Sequence, residues 1–409
     1  MTKMTKQDKN IKNFPNLRFP GFEGQWETMR LGDVMDFKVT NSFSRANLNY
    51  ETGNIKNIHY GDIHTKFQTL FDIKKEFVPY INEEISLNKI SEDCYCQEGD
   101  IVFADASEDL NDVGKSIEIV NLNGEKLLSG LHTLLARPDK QYFHKGFNGF
   151  LLKSKNVRYQ IQKESQGSKV LSINVGRISN IKLSFPSKAE QDKITSLISL
   201  VEKRIYKSMK IISHLETSIR TFREQIFLQK FRFKDDLGNN FPDWEESKLE
   251  NICQKQSSNI SANKIEENFG SYTIYGASGI LKKVDFYEEE NEFVSIVKDG
   301  AGVGRLFLCE AKSSVLGTMD IIKPKSDVNT YFLFYQISNI DFIKYVTGST
   351  IPHIYFKDYK KEKLKIPSRD EQTKIANFLA SIDEKIETEK KTLKQYENQK
   401  KYLLTNLFV

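Results

Sequence analysis

The chain has 409 residues, 39% of them hydrophobic and 28% charged, with 60 Lys and Arg against 55 Asp and Glu for a net charge of +5. That length suits two or three domains with their own cores, and the mild basic excess permits nucleic-acid binding without arguing for it, because scattered charge makes no patch. No window approaches the roughly 18 apolar residues of a membrane-spanning helix, and Cys94, Cys96, Cys253 and Cys309 form no CxxC pair, which reads as reduced thiols in a cytosolic protein.

In chain order, residues 1–13 are rich in Lys, Thr and Asn, lack the apolar run of a signal peptide and are expected to be a disordered tail. Residues 14–186 read as a mixed α/β unit with short strands at Ile101–Phe103 and Ser116–Val120. A helix over 187–232 follows, opened by Ser187-x-x-Glu190, which fits a capping box after a proline. Its apolar positions Ile194, Ile198, Val201, Ile205, Ile212, Leu215, Ile219, Phe222 and Ile226 alternate spacings of four and three, as in a coiled-coil seam. Ten basic and five acidic side chains between Lys188 and Arg232 give its outer face a positive excess, suited to a polyanion or simply to solvent. Residues 233–367 read as a second α/β unit with strands at Phe293–Val297 and Arg305–Cys309. Residues 368–409 form a second helix, opened by Ser368-x-x-Glu371, with a seam of Ile375, Leu379, Ile382, Ile386, Leu393, Tyr396, Leu403 and Leu407.

The chain repeats itself. Phe185-Pro-Ser-Lys-Ala-Glu-Gln-Asp-Lys-Ile194 returns 181 positions later as Ile366-Pro-Ser-Arg-Asp-Glu-Gln-Thr-Lys-Ile375. The two seams superpose at the same shift, with polar interruptions at Ser208 and Glu389, so the helices are expected to pair. Trp26-Glu27 before Leu31-Gly-Asp-Val34 answers Trp244-Glu245 before Leu249-Glu-Asn-Ile252. Weaker echoes join Tyr60-Gly61 to Tyr275-Gly276, Asp105…Gly114-Lys115 to Asp299…Gly304-Arg305, Gly130 to Gly317, and Gln166-Gly-Ser-Lys169 to Thr347-Gly-Ser-Thr350. The first unit carries about 37 extra residues.

Catalytic readings find little support. Lys298-Asp-Gly-Ala-Gly-Val-Gly-Arg305 resembles a phosphate loop, but Arg305 stands where a dinucleotide fingerprint needs glycine, and a strand-like run follows in place of a helix. Asp109…Gly114-Lys115-Ser116 ends like a Walker A loop but opens on aspartate, so tight Gly-rich hairpins account better for both. An Asn/Asp-Pro-Pro-aromatic loop, an HExxH motif, a ligand-spaced histidine cluster and a nucleophile elbow are all missing, which points to a chain with no catalytic or metal-ligating residues of its own.

The tandem design, the twin Pro-Ser-x-x-Glu-Gln-x-Lys-Ile helix openings, the two Trp-Glu pairs, Asp299-Gly-Ala-Gly-Val-Gly-Arg305, Gly348-Ser-Thr-Ile-Pro-His353 and Gly130-Leu-His-Thr133 together resemble the specificity subunits of bacterial type I restriction-modification systems. The resemblance runs from about residue 14 to the C-terminus and implies an α+β architecture. In it, two mixed α/β target-recognition domains are joined by two long helices that pair as an antiparallel coiled coil in a pseudo-twofold tandem repeat. Each domain would read one half of a split double-stranded DNA site in the major groove, and the helices would set the spacing. A rod of about 40 residues spans roughly 60 Å, or some 18 base pairs.

The resemblance further implies a non-catalytic cytoplasmic protein of bacteria that binds two methyltransferase subunits and also restriction/translocase subunits, with no membrane contact. S-adenosylmethionine and ATP would belong to those partners, and none of the cofactors to this chain. Docking is assigned to the helix openings at Glu190, Gln191, Glu371 and Gln372. Base and phosphate contacts need polar or cationic side chains on loops that reach a groove. In the first unit these are Asn41, Ser42, Ser44, Arg45, Tyr60, Lys115 and Lys169; in the second they are Gln256, Ser257, Asn259, Tyr275, Lys298, Arg305, Ser349, Thr350 and His353. The competing reading is a coiled-coil adaptor or stand-alone DNA-binding regulator without methyltransferase partners.

Overall fold

The computed structural model describes residues 13–409. The tail expected at 1–13 lies outside the described residues apart from Asn13, whose carbonyl accepts the Trp26 amide at 3.1 Å. Two compact units emerge, one reaching Lys207 and including Thr392–Val409, the other spanning Ser208–Lys391. The division therefore falls inside both long helices, not at their openings where the sequence put the domain limits.

In the first unit, Glu27–Arg30 pairs antiparallel with Lys182–Phe185, Glu27 lying opposite Phe185. The turn Leu31–Val34 then buries its two apolar residues. A five-stranded sheet follows in the order Met35–Lys38, Thr133–Pro138, Ile101–Ala104, Ser116–Asn121, Leu70–Asp72. All four residues of Ile101–Ala104 are buried, because layers cover both faces of the sheet, so this strand reads as a continuous apolar run without alternation. A second sheet runs Lys126–Ser129, Ile55–Ile58, Tyr80–Ile81, Leu48–Asn49. The core gathers Trp26, Leu31, Phe147 and Phe150 with Ile194, Ile198 and Val201 of the central helix, Leu403 of the C-terminal one, and Leu407 and Phe408 just beyond its end.

The second unit repeats the plan. Glu245–Lys248 pairs with Lys363–Ile366, Glu245 opposite Ile366. Its main sheet runs Cys253–Ser257, Met319–Pro324, Phe293–Val297, Leu306–Cys309, the same order as the first four strands of its counterpart. The fifth strand, Leu70–Asp72, belongs to the longer first unit alone. Trp244, Leu249, Phe332 and Tyr359 pack with Ile226 of the central helix and Ile375 and Leu379 of the C-terminal one.

The helices run Lys188–Phe227 and Arg369–Asn406. The first stops short of the expected Arg232. Gln229 turns left-handed at φ 55°, Lys230 N donates to Gln225 O at 2.8 Å and Gln229 N to Ile226 O at 2.9 Å, a Schellman closure. The helices pair within each unit, and the pairing is antiparallel. In the first unit Glu202 meets Lys400 at 2.5 Å and Arg204 lies over Tyr396. In the second, Glu216 meets Lys390 at 3.5 Å and the Phe222 and Phe378 rings stand 5.1 Å apart. The seam residues Ile194, Ile198, Val201, Ile375, Leu379, Ile382 and Ile386 are buried, as is the polar Ser208.

The expected capping boxes are not formed. Glu190 does not reach back to the helix start; it takes Arg18 Nε and Nη2, both at 2.8 Å. Glu371 takes Arg232 Nε at 3.2 Å and Nη2 at 2.8 Å, and Trp244 Nε1 at 3.0 Å. The Ser368 hydroxyl has no partner among the described residues. A bidentate guanidinium outcompetes a single backbone amide for a carboxylate. The neighbouring glutamines act likewise. Gln191 accepts from His144 N and donates to Pro186 O and Tyr142 O, and Gln372 accepts from Asn329 N and donates to Pro367 O and Asp327 O. These four residues are at most 2% exposed. The docking role assigned to Glu190, Gln191, Glu371 and Gln372 is therefore corrected: their polar groups are consumed inside the fold, riveting each helix opening to its own unit.

Candidate nucleic-acid interface

In the first unit, backbone geometry draws the polar loops onto one surface. Asn41 N donates to Ser129 O at 3.0 Å and its side-chain amide to Asn57 Oδ1 at 2.7 Å, which anchors the loop carrying Ser42, Ser44 and Arg45. Asp105 N bonds His132 O, and His132, at φ 57°, turns its ring to 5.4 Å from Tyr60 and its Nδ1 to 3.2 Å from Asp105 Oδ1. Lys115 Nζ reaches His64 O at 2.7 Å, and His64 Nε2 lies 3.1 Å from Ala106 O. Arg45 Nη2 meets the buried Asp62 at 2.6 Å. The His59 imidazole is held below its usual range by burial first and by Arg45 next, which keeps it neutral beside the cations.

The Gly-Ser loops are built alike in both units. Gln166 and Ser172 exchange backbone hydrogen bonds at 2.9 and 2.7 Å, as Thr347 and His353 do at 2.9 and 2.8 Å. Gly167 and Gly348 sit at φ 132° and 89°, and a Cβ at Gly348 would fall 2.4 Å from Ile351 O, so glycine is required there. Ser168, Lys169, Ser349 and Thr350 are left exposed at the tips.

In the second unit, Lys255, Lys298, Asp299, Tyr355, Lys357 and Lys360 line an open cavity of about 630 Å³, with Asp320 at its wall. Lys298 Nζ lies 3.1 Å and Ser257 Oγ 3.0 Å from Asp320 Oδ1. His353 packs against Tyr355 at 4.8 Å, and Gly300 N donates to Pro352 O at 2.9 Å, joining the Gly-rich hairpin to the Gly-Ser loop. Arg305 is exposed, steadied by Nη1 on Ala277 O at 2.8 Å. Asn259 is exposed next to the buried Ser258 and Ile260.

Two assignments change. Tyr275 is buried in the core, and its hydroxyl accepts from Glu310 N, so it reads nothing; Tyr60 opens a surface helix and is not its counterpart. Gln256 points away from Ser257, as alternation along a strand demands, and its amide bridges Glu289 and Lys323 on the other face. One echo also shifts by a residue. Asp105 O accepts Ile173 N as Lys298 O accepts Ile354 N, so Asp105 answers Lys298, not Asp299. Lys255 lies in the Gln254–Asn259 loop that the sequence offers for DNA contact, whereas Tyr50, Asp62 and Lys66 in the first unit and Asp320, Tyr355 and Lys357 in the second are outside every loop the sequence singles out. For Lys255 the signal was its alternation with Ser257; Asp62 and Asp320 carry none.

Among the described residues no group of His, Cys, Asp or Glu could hold a metal, and no helix is long and apolar enough to cross a membrane. Cys96, Cys253 and Cys309 are buried free thiols, and burial pushes the last two up to about 12.

Duplicated α/β units with polar, cationic loop faces and helix-borne cores define a two-headed recognition protein. The family model described as type I restriction modification DNA specificity domain matches residues 23–217 and 242–398, and the chain belongs to that family. It is 25% identical to the putative type I restriction enzyme MjaX specificity subunit of Methanocaldococcus jannaschii, over 97% of this chain and 96% of that protein. A putative type I specificity subunit of Mycoplasma pneumoniae is 24% identical over 43% of this chain and 63% of its own length. The crystal structure of a type I restriction-modification S subunit from M. genitalium superposes with a TM-score of 0.69 at 16% identity, covering 97% of this chain and 99% of that one.

Proposed function

We propose that this chain is the DNA-recognition subunit of a type I restriction-modification complex, each unit reading one half of a split site. The observation that carries this is the family match falling on both halves of the chain, joined to a polar loop face built the same way in each. In this reading the loops around Arg45, Lys115 and Lys169 serve one half-site. Those around Ser257, Lys298, Arg305 and Thr350 serve the other. The paired helices act as an antiparallel coiled coil that sets the distance between half-sites, supported by buried seam residues on both, Ile194, Ile198, Val201 and Ile212 on one and Ile375, Leu379, Ile382 and Ile386 on the other. Their outer faces, rather than the riveted Glu-Gln openings, offer the surface for two methyltransferase subunits, and restriction/translocase subunits complete the complex in the bacterial cytoplasm. S-adenosylmethionine and ATP are handled by those partners; this chain contributes binding and orientation, not chemistry.

The test is bound-fraction sequencing from a randomised double-stranded DNA library, using the full chain expressed with its methyltransferase subunits. A two-part motif with a fixed gap is expected, and the same motif should carry methylated adenine in the host genome. A continuous motif, or no enrichment, would sink the reading.

A further inference from the structure

Each recognition face holds a buried aspartate whose use the fold does not explain. Asp62 is 0% exposed, in the first turn of the short helix Tyr60–Thr65. Its Oδ1 takes Arg45 Nη2 at 2.6 Å and Lys66 Nζ at 2.9 Å, while Oδ2 is buried without a partner. Both cations also reach the Tyr50 hydroxyl, at 2.9 and 3.1 Å. Asp320 is 3% exposed and sits on the strand Met319–Pro324. Its Oδ1 takes Lys298 Nζ at 3.1 Å and Ser257 Oγ at 3.0 Å, with Lys255 Nζ at 3.6 Å and also bonded to Ser257 Oγ at 2.6 Å.

The two sites share one composition: a buried carboxylate, two long cations and one hydroxyl. They come from different elements, a helix following Ile55–Ile58 in one unit and a central sheet strand in the other, so the likeness is not inherited from the repeat. Stability does not account for it either. Burying a carboxylate is costly, and pairs with partly exposed cations return little. What the arrangement does supply is order: two flexible cations are fixed side by side, with spare N–H donors facing solvent and a net charge of +1. Arg45 and Lys66 are both held above their usual range, first by their hydrogen bonds to Asp62, so they stay charged.

We propose that Asp62 and Asp320 are positioning residues that each hold a pair of cations as a cradle for the phosphate oxygens of one DNA half-site. This rests on the reading of the chain as a DNA-recognition subunit. Two ammonium or guanidinium groups sharing one carboxylate leave parallel donors outward, the geometry that phosphate accepts.

Sign separates positioning from plain charge. Asp62→Asn or Asp320→Asn adds one positive charge to a DNA-facing surface, which by charge alone tightens binding to every duplex. Positioning demands the opposite, and only in register. Using the motif selected by the wild-type chain, binding is measured on the intact duplex and on two duplexes with one half scrambled. Each variant should lose about 10-fold on the intact duplex and on the one retaining its own half-site, and less than about 2-fold where that half is scrambled. Unchanged or tighter binding, or equal loss on all three duplexes, overturns the proposal.

Should either asparagine variant melt early, Lys66→Met and Lys255→Met decide, since each leaves its aspartate another cation. Each should lower the slope of log affinity against log salt by about one on its own half-site. An unchanged slope overturns the proposal. A wild-type chain without preference for any duplex would instead sink the functional reading.

Discussion

The half-buried Lys153 and the buried Glu118 are the groups whose shifted protonation should shape the pH response of the first unit. Lys153 Nζ donates to Thr69 Oγ1 at 2.7 Å, Thr69 donates on to Glu202 at 2.5 Å, and Lys400 meets the same carboxylate at 2.5 Å. Burial, then the neighbouring Lys400, brings the Lys153 amine down to about 7. The unfolded chain keeps this proton to about pH 10.4, so between 7 and 10.4 it binds more protons than the folded one and stability climbs with pH. Glu118 is the mirror case. Its carboxylate accepts the Gly146 and Gly149 amides, yet burial raises it to about 7, so its contribution is full below about pH 4.3 and lost as pH rises through 7. Together they should place a trough of stability near neutrality. The unfolding free energy of the first unit, read from urea titrations, should therefore rise from pH 7 to 9, by up to about 1.4 kcal/mol per pH unit. Lys153→Met should flatten that limb and raise stability at pH 7. A limb that survives in Lys153→Met would assign it to another group.

The helix openings show what a local pattern can and cannot reveal. Pro-Ser-x-x-Glu-Gln located both helix starts to within a residue, because proline ends the preceding strand and heptads begin directly after. The role of the glutamates was hidden, since their partners Arg18 and Arg232 lie 172 and 139 residues away. A clue was present in the Arg18-Phe19 and Arg232-Phe233 pairs ahead of each tryptophan. Glycine anchors such as Gly348 were legible because backbone geometry demands them, whereas Asp62 and Asp320 are not, their meaning lying wholly in tertiary neighbours. The rivets predict a measurable asymmetry. Glu371→Gln takes the bidentate carboxylate from the half-buried Arg232, which keeps the Phe241 and Pro242 carbonyls, and should cost about 3 kcal/mol in the second unit. Adding Arg232→Met should restore part of it, giving a coupling of about 2 kcal/mol. Glu190→Gln should cost less, because Trp26 Nε1, unlike Trp244 Nε1, has no partner among the described residues. Additive losses would show that the pairs do not act as rivets.

At the scale of the whole molecule, each unit takes the opening half of the helix that follows it and the closing half of the other helix. Phe408 packs on Trp26 in the first unit as Phe227 packs on Trp244 in the second. Chain order and structural unit thus come apart, and the repeat is closest at the helices, the elements that pack in both units; under the proposed function the loops answer only to their own target. Under the proposed spacer role, length can then be changed without touching either reader. Seven residues inserted after Lys207 and seven after Lys391, where the two units divide, keep the heptad phase and lengthen both helices by about 10 Å, close to three base pairs. Bound-fraction sequencing should return the same two half-sites separated by about three more base pairs. An insertion of three residues instead shifts the seam out of phase and should abolish selection of any two-part motif. An unaltered gap with the longer helices would show that something other than these helices sets the distance, and altered half-sites would show that the readers depend on it.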